Sequence, residues 1–168
     1  MDLRKYVPQT QADSGFMYRF IGPEDVGWIR QIEAMEEWLE GQVANILEKG
    51  GLCLIATKGG DLAGFNLADI GEVYMPLVNI RRVFREEEAW SVQISVDKKF
   101  RRMGLGSELR HRMFGELKRN GFRKFYGGTL SSNEANLRLT RSVGFQEIVD
   151  INYFRLFAYK NWFFRKVR

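Results

Sequence analysis

Cysteine and histidine are almost missing from this chain of 168 residues, which holds one of each, Cys53 and His111. One cysteine excludes an internal disulfide and a zinc cluster, and one histidine excludes any site that needs two. No metal is therefore expected. No apolar run reaches the length of a membrane span, and Met1-Asp2-Leu3-Arg4-Lys5-Tyr6 lacks the apolar centre of a signal peptide. A reducing, cytoplasmic location is the expectation. A strong charge imbalance is missing too. Lys and Arg number 26 against 21 Asp and Glu, a formal net charge of +5. That excess is small and scattered, unlike the basic stripe of a nucleic-acid binder, so no nucleic-acid partner is expected. It suits a phosphorylated ligand or an acidic protein partner.

What is present reads as a globular chain. Hydrophobic residues make up 45% and charged residues 28%, enough to form a core inside a polar surface. The length suits one domain, residues 1–168, with residues 1–15 as a loose polar arm. There is no internal repeat, low-complexity segment or linker.

Patterning predicts an α/β (α+β) chain. Met17 to Ile21 reads as a short strand, and Gly22-Pro23-Glu24-Asp25 opens a helix, with proline and two acids where a first turn favours them. A second helical pattern covers Glu36 to Lys49 and stops at Gly50-Gly51. Leu52 to Thr57 reads as a buried strand, Gly59-Gly60-Asp61 as a hairpin turn, and Leu62 to about Tyr74 as the return strand. Pro76 to Glu87 is a connection of mixed charge. Trp90 to Val96 alternates as a strand. The helix that follows runs to about Asn120, with Leu109, Met113, Phe114 and Leu117 on one face and Arg110, Lys118 and Arg119 elsewhere. Phe122 to Leu130 reads as a strand, Asn133 to Ser142 as a helix closed by Gly144, and Glu147 to about Arg165 as strand-like and aromatic. Strand–helix–strand order in the second half implies a right-handed crossover and parallel pairing, while the hairpin in the first half is antiparallel. The result is a mixed sheet with helices on both faces.

The most informative residues are Arg101-Arg102-Met103-Gly104-Leu105-Gly106-Ser107. A strand that turns through two glycines into a helix presents bare N–H groups at the positive helix end, an anion site. It is neither a Rossmann fingerprint, since Leu109 stands where the third glycine belongs, nor a P-loop, since Ser107-Glu108 follows Gly106. Arg101 and Arg102 add phosphate partners.

Arg-x-x-Gly-x-Gly in this setting resembles the pyrophosphate loop of the GNAT superfamily of acyl-CoA N-acyltransferases. A second segment agrees: Asn133 to Gly144-Phe145 has that family's spacing. The likeness is strongest over residues 90 to 146. It implies a GNAT-like fold, a mixed six- or seven-stranded sheet flanked by about four helices. It also implies a coenzyme A thioester, acetyl-CoA or another acyl-CoA, as cosubstrate, and an amine as acceptor. By the same resemblance, amides from Met103 to Ser107 hold the pyrophosphate, while Ile94, Ser95 and Val96 pair with the pantetheine arm. Asn133, with Asn136 beside it, contacts that arm.

The chain departs from the family at the acid. Where many relatives carry a tyrosine, seven residues after the asparagine, it has Thr140, a poorer acid with less reach. Asn136 and Thr140, four apart, share a helix face. Carboxylates that could deprotonate the amine are Glu72 on the hairpin strand and Glu88 before the central strand, with Glu86 and Glu87 reading as exposed loop. The aromatic stretch from Tyr153 to Phe164 reads as an acceptor-pocket wall, core, or the edge of a homodimer, ahead of a membrane anchor, which the basic residues nearby leave open. The functional reading is N-acyl transfer, foremost N-acetyl transfer, by direct attack in a ternary complex. Its rivals are a non-catalytic acyl-CoA sensor on the same fold and a long-chain transferase fed by an acyl carrier protein.

Overall fold

Two apolar faces of one sheet organise the chain. The structure, a computed structural model, describes residues 1–7 and 15–167. The elements run β1 (Met17–Ile21), α1 (Val26–Met35), α2 (Val43–Glu48), β2 (Leu52–Lys58), β3 (Asp61–Ile70), β4 (Glu72–Met75), β5 (Ile80–Val83), β6 (Glu88–Val96), α3 (Leu105–Arg119), β7 (Lys124–Gly127), α4 (Glu134–Ser142), β8 (Val149–Leu156) and β9 (Tyr159–Lys166). The main sheet has five strands in the order β1-β2-β3-β6-β7. The first three pairings are antiparallel, and β6–β7 is parallel with α3 as its crossover.

Period-two alternation along β2 feeds both faces. Cys53 and Ile55 join Ile29, Ile32, Leu39, Val43 and Ile46 beneath α1 and α2. Leu54 and Ala56 face the other way, toward Leu105, Leu109, Met113, Phe114 and Leu117 of α3. Central β3 is buried continuously from Leu62 to Asp69, because helices cover it on both sides. Each fully buried Leu or Phe adds about 1.5–3 kcal/mol of transfer free energy.

Four boundaries differ from expectation. The helix expected over 36–49 breaks into a tight turn at Glu37–Leu39 and the short α2. The strand expected from Leu62 to Tyr74 stops at Gly71, whose φ of 66° turns the chain out of the sheet. Beyond it β4 pairs with β5, which forms inside the expected connection. The sheet therefore has five strands rather than six or seven, since β4–β5 and β8–β9 each pair only with themselves. Finally, β7 spans only Lys124–Gly127, and this shortness creates the site.

The expected N-terminal arm is docked in part. Leu3 is fully buried and its N–H donates to Arg123 O at 2.8 Å, and the Tyr6 ring stacks on His111. The same segment bridges to β7, where Phe125 N–H donates to Met1 O at 2.9 Å, and to α3, where Lys118 Nζ donates to Tyr6 O at 2.8 Å. Residues 8–14 of that arm lie outside the described residues. The β8–β9 hairpin touches the fold through Trp162 Nε1, which donates to Val78 O at 2.6 Å, and through Tyr153 OH, which accepts from Asn79 Nδ2 at 3.3 Å. Phe154, Leu156, Phe157, Phe163 and Phe164 stay exposed, and no hairpin residue joins either core cluster. Among the described residues no helix is long and apolar enough to cross a membrane.

Candidate functional site

The end of β7 leaves half of β6 without a partner on one side. Their parallel register runs from Glu88↔Lys124 to Ser91↔Gly127 and stops there. On its other side β6 stays paired with β3 as far as Val96↔Gly64, apart from one extra residue, Val92, between Gln93↔Leu67 and Ser91↔Ala68. Such a bulge sharpens the local twist and redirects the strand. Here it sits at the point where β6 and β7 diverge. The opening is a groove of about 660 Å³, within the range of small-molecule sites. Its floor is Ser91 to Val96, and it leads to the loop before α3.

That loop is shaped for an anion. Gly104 sits at φ 77° and ψ −3°, and Arg102 at φ 64°, both left-handed. This curls the chain into α3 with no side chain capping the helix start. The Glu108 N–H donates to Gly104 O at 3.1 Å, so the uncapped donors are those of the first turn before it. The Gly106 position is tight on its far side, since an added Cβ would lie 3.2 Å from Leu139 Cδ2. Arg101 reaches back, its Nε donating to Val96 O at 3.0 Å. The acid of the first turn, Glu108, is tied to Arg112 at 2.8 Å and leaves the positive end unopposed.

Most residues singled out for binding meet here. Ile94, Ser95, Val96, Arg101, Arg102, Gly104, Leu105, Gly106, Ser107, Asn133 and Asn136 all line the groove, whereas the side chain of Met103 turns to solvent. Asn133 caps α4, its Oδ1 accepting from Asn136 N at 3.1 Å. Asn136 Nδ2 donates to Thr129 Oγ1 at 2.9 Å.

The three acid–base candidates lie elsewhere. Glu72 left the sheet with β4 and is exposed, bonded to Arg81 at 3.2 Å. Glu88 is buried at the closed end of β6, accepting from Tyr126 OH at 3.1 Å with Lys124 Nζ at 3.9 Å. Thr140 Oγ1 donates backward to Asn136 O at 2.9 Å, as helical threonines do, so it makes no side-chain pair with Asn136. None of the three lines the groove.

Two charged lining residues were not foreseen. Glu36 closes α1 at its C-terminal end and supplies the carboxylate of the groove wall. Its signal was weak, one acid among several after a helix. Arg110, expected on the polar face of α3, is 3% exposed. Its position three before Met113 and four before Phe114 places it on the buried stripe, a signal present in the spacing. Burial draws its pKa down to about 10, so it stays charged at neutral pH.

No curated protein is matched by the sequence. Solved structures with the same fold include an aminoglycoside acetyltransferase from an uncultured soil metagenomic sample, in complex with trehalose. It is 16% identical with a TM-score of 0.64, over 86% of this chain and 98% of that one. The IAA acetyltransferase from Bacillus cereus is 21% identical with a TM-score of 0.64, over 83% of each chain. The aminoglycoside N-acetyltransferase AAC(6')-Iy in complex with CoA is 19% identical with a TM-score of 0.61, over 83% of this chain and 98% of that one. At these identities the likeness establishes the fold. The sequence pattern of the acetyltransferase (GNAT) family matches residues 16–145, from just before β1 through the whole groove to the turn after α4. The match takes in the diverging parallel strands and the uncapped helix start, and the chain belongs to the acetyltransferase (GNAT) family.

Proposed function

We propose that the protein is an N-acyltransferase that takes an acyl group from a coenzyme A thioester, with acetyl-CoA as the family's donor, and passes it to a primary amine. The observation that carries this reading is the free edge of β6 beyond Ser91, which runs into the uncapped start of α3. A pyrophosphate fits amides of Leu105, Gly106 and Ser107, with Arg101 and Arg102 beside it. The amides of pantetheine fit a strand edge that no neighbouring strand covers beyond Ser91. Asn133 and Asn136 border the same path.

The amine nitrogen attacks the thioester carbon, forming C–N while C–S breaks. Glu36, the carboxylate that lines the groove, receives the amine proton, directly or through water, in place of Glu72 or Glu88. A thiol ionises near about pH 8.5, so the thiolate leaves without a strong acid, and Thr140 need not supply one. A carboxylate on the acceptor side favours cationic acceptors, and amino sugars of the kind named for the aminoglycoside enzymes belong in the first panel tested. The enzyme's main work is placing amine and thioester together and polarising the carbonyl.

A thiol-release assay with acetyl-CoA and a panel of amino sugars, peptides and small amines tests this. Glu36→Gln should bind coenzyme A as before and turn over at least about tenfold more slowly. Binding without thiol release from any amine would favour the sensor reading. Failure to bind coenzyme A at all would sink both.

A further inference from the structure

Arg110 is a buried cation without a counter-ion. Its guanidinium lies under the point where β6 and β7 part, with Nη1 donating to Ser91 Oγ at 2.6 Å and to Asn66 Oδ1 at 3.3 Å. Asn66 is fully buried and is itself held, its Nδ2 donating to Leu109 O at 3.2 Å. Nε is buried with no hydrogen-bond partner among the described residues. The rings of Phe125 and Phe145 stand 5.9 and 5.6 Å from Cζ, flanking the charge with apolar surface. Among the described residues no carboxylate forms an ion pair with Arg110.

Such a charge is costly to bury unless something pairs with it. Neutral Ser91 and Asn66 orient the guanidinium and leave its charge uncancelled. Arg110 also lines the groove. Ser91 belongs to the last β6–β7 pair, so the guanidinium marks the closed end of the groove, about 13 Å from Val96 along the four paired steps that the bulge leaves between them. A thioester held with its pyrophosphate at the loop points its acyl group toward that end.

From this placement we infer that the closed end of the groove is a subsite for a carboxylate at the far end of the acyl chain, held by Arg110. The inference rests on the coenzyme A reading and narrows its donor to a short dicarboxylic acyl thioester, of the malonyl or succinyl type. Ser91 and Asn66 both hold Nη1, so that the guanidinium meets the carboxylate in a fixed orientation.

Calorimetric titration of the full-length protein with coenzyme A, acetyl-CoA, malonyl-CoA, succinyl-CoA and the methyl ester of malonyl-CoA tests it. At least one dicarboxylic thioester should bind roughly tenfold or more tightly than acetyl-CoA, and the uncharged methyl ester should lose that gain. Arg110→Met should abolish the preference and keep coenzyme A affinity within about threefold, because methionine fills the same space without charge. Asn66→Asp, which supplies an internal carboxylate of the same shape, should abolish it too. Acetyl-CoA binding as tightly as both dicarboxylic thioesters, or a methyl ester binding as well as the free acid, overturns the inference without needing any variant. A preference that survives in folded Arg110→Met overturns it as well. If coenzyme A itself does not bind, the groove reading fails and takes this inference with it. Normal binding of coenzyme A and acetyl-CoA without a preference defeats the inference alone.

Discussion

Gly104 is where the conformation of the anion loop can be tested with one methyl group. Its φ of 77° is left-handed, and a Cβ built there would meet nothing within 4 Å. Gly104→Ala therefore creates no clash, and its whole effect comes from the backbone. A left-handed alanine costs about 1–2 kcal/mol. In a domain of this size each kcal/mol lowers Tm by about 2–4 °C, so the variant should melt roughly 2–8 °C below the parent. Rotating the peptide planes to relieve the strain turns the first-turn amides away from the groove. Losing one charge-assisted hydrogen bond of about 1.5–3 kcal/mol weakens coenzyme A binding roughly 10- to 100-fold. Asparagine tolerates the left-handed region, so Gly104→Asn should lie between glycine and alanine in both measurements. Gly104→Glu adds a negative charge beside the phosphates and should be worse for binding than alanine. Scanning calorimetry and calorimetric titration read the two effects separately. An alanine variant with parental Tm and parental coenzyme A affinity would refute the reasoning.

Three further outcomes follow from other residues. Asn133→Ala removes the cap on α4 and should cost about 1 kcal/mol, a fall of roughly 2–4 °C in Tm, while Asn133→Ser keeps most of the stability; unchanged melting of the alanine variant would contradict the cap. Cys53 is fully buried, and burial pushes its thiol above the ordinary cysteine range. A thiol reagent at pH 8 should label it only after denaturation, and stoichiometric labelling of the native protein would show the strand to be accessible. Burial lowers the pKa of His111 against an opposing pull from Glu108. Its folded value lies below its unfolded one, so its contribution is present above about pH 6.5 and is lost as pH falls through the folded value. The stability lost between pH 7.5 and 5.5 should shrink in His111→Gln, and an equal loss in both proteins would dismiss the assignment.

Short-range chemistry made part of this protein legible in its residues. The glycine turn into α3, the asparagine cap of α4 and the β2–β3 hairpin at Gly59-Gly60 each depend on neighbours within four positions. The anion loop and the family resemblance followed from such local patterns. Tertiary structure decided the rest, for reasons no short window contains. Glu72 leaves the sheet because Gly71 redirects the chain and β5 is there to receive β4. Glu88 is spent on Tyr126 and Lys124, which arrive on a strand beyond the α3 crossover. Glu36 reaches the groove because α1 packs across the sheet from α3, and Arg110 is buried because Phe125 and Phe145 close over it. Backbone conformation is settled residue by residue, whereas a side chain's water, charge and partners are settled by whatever the fold brings opposite it.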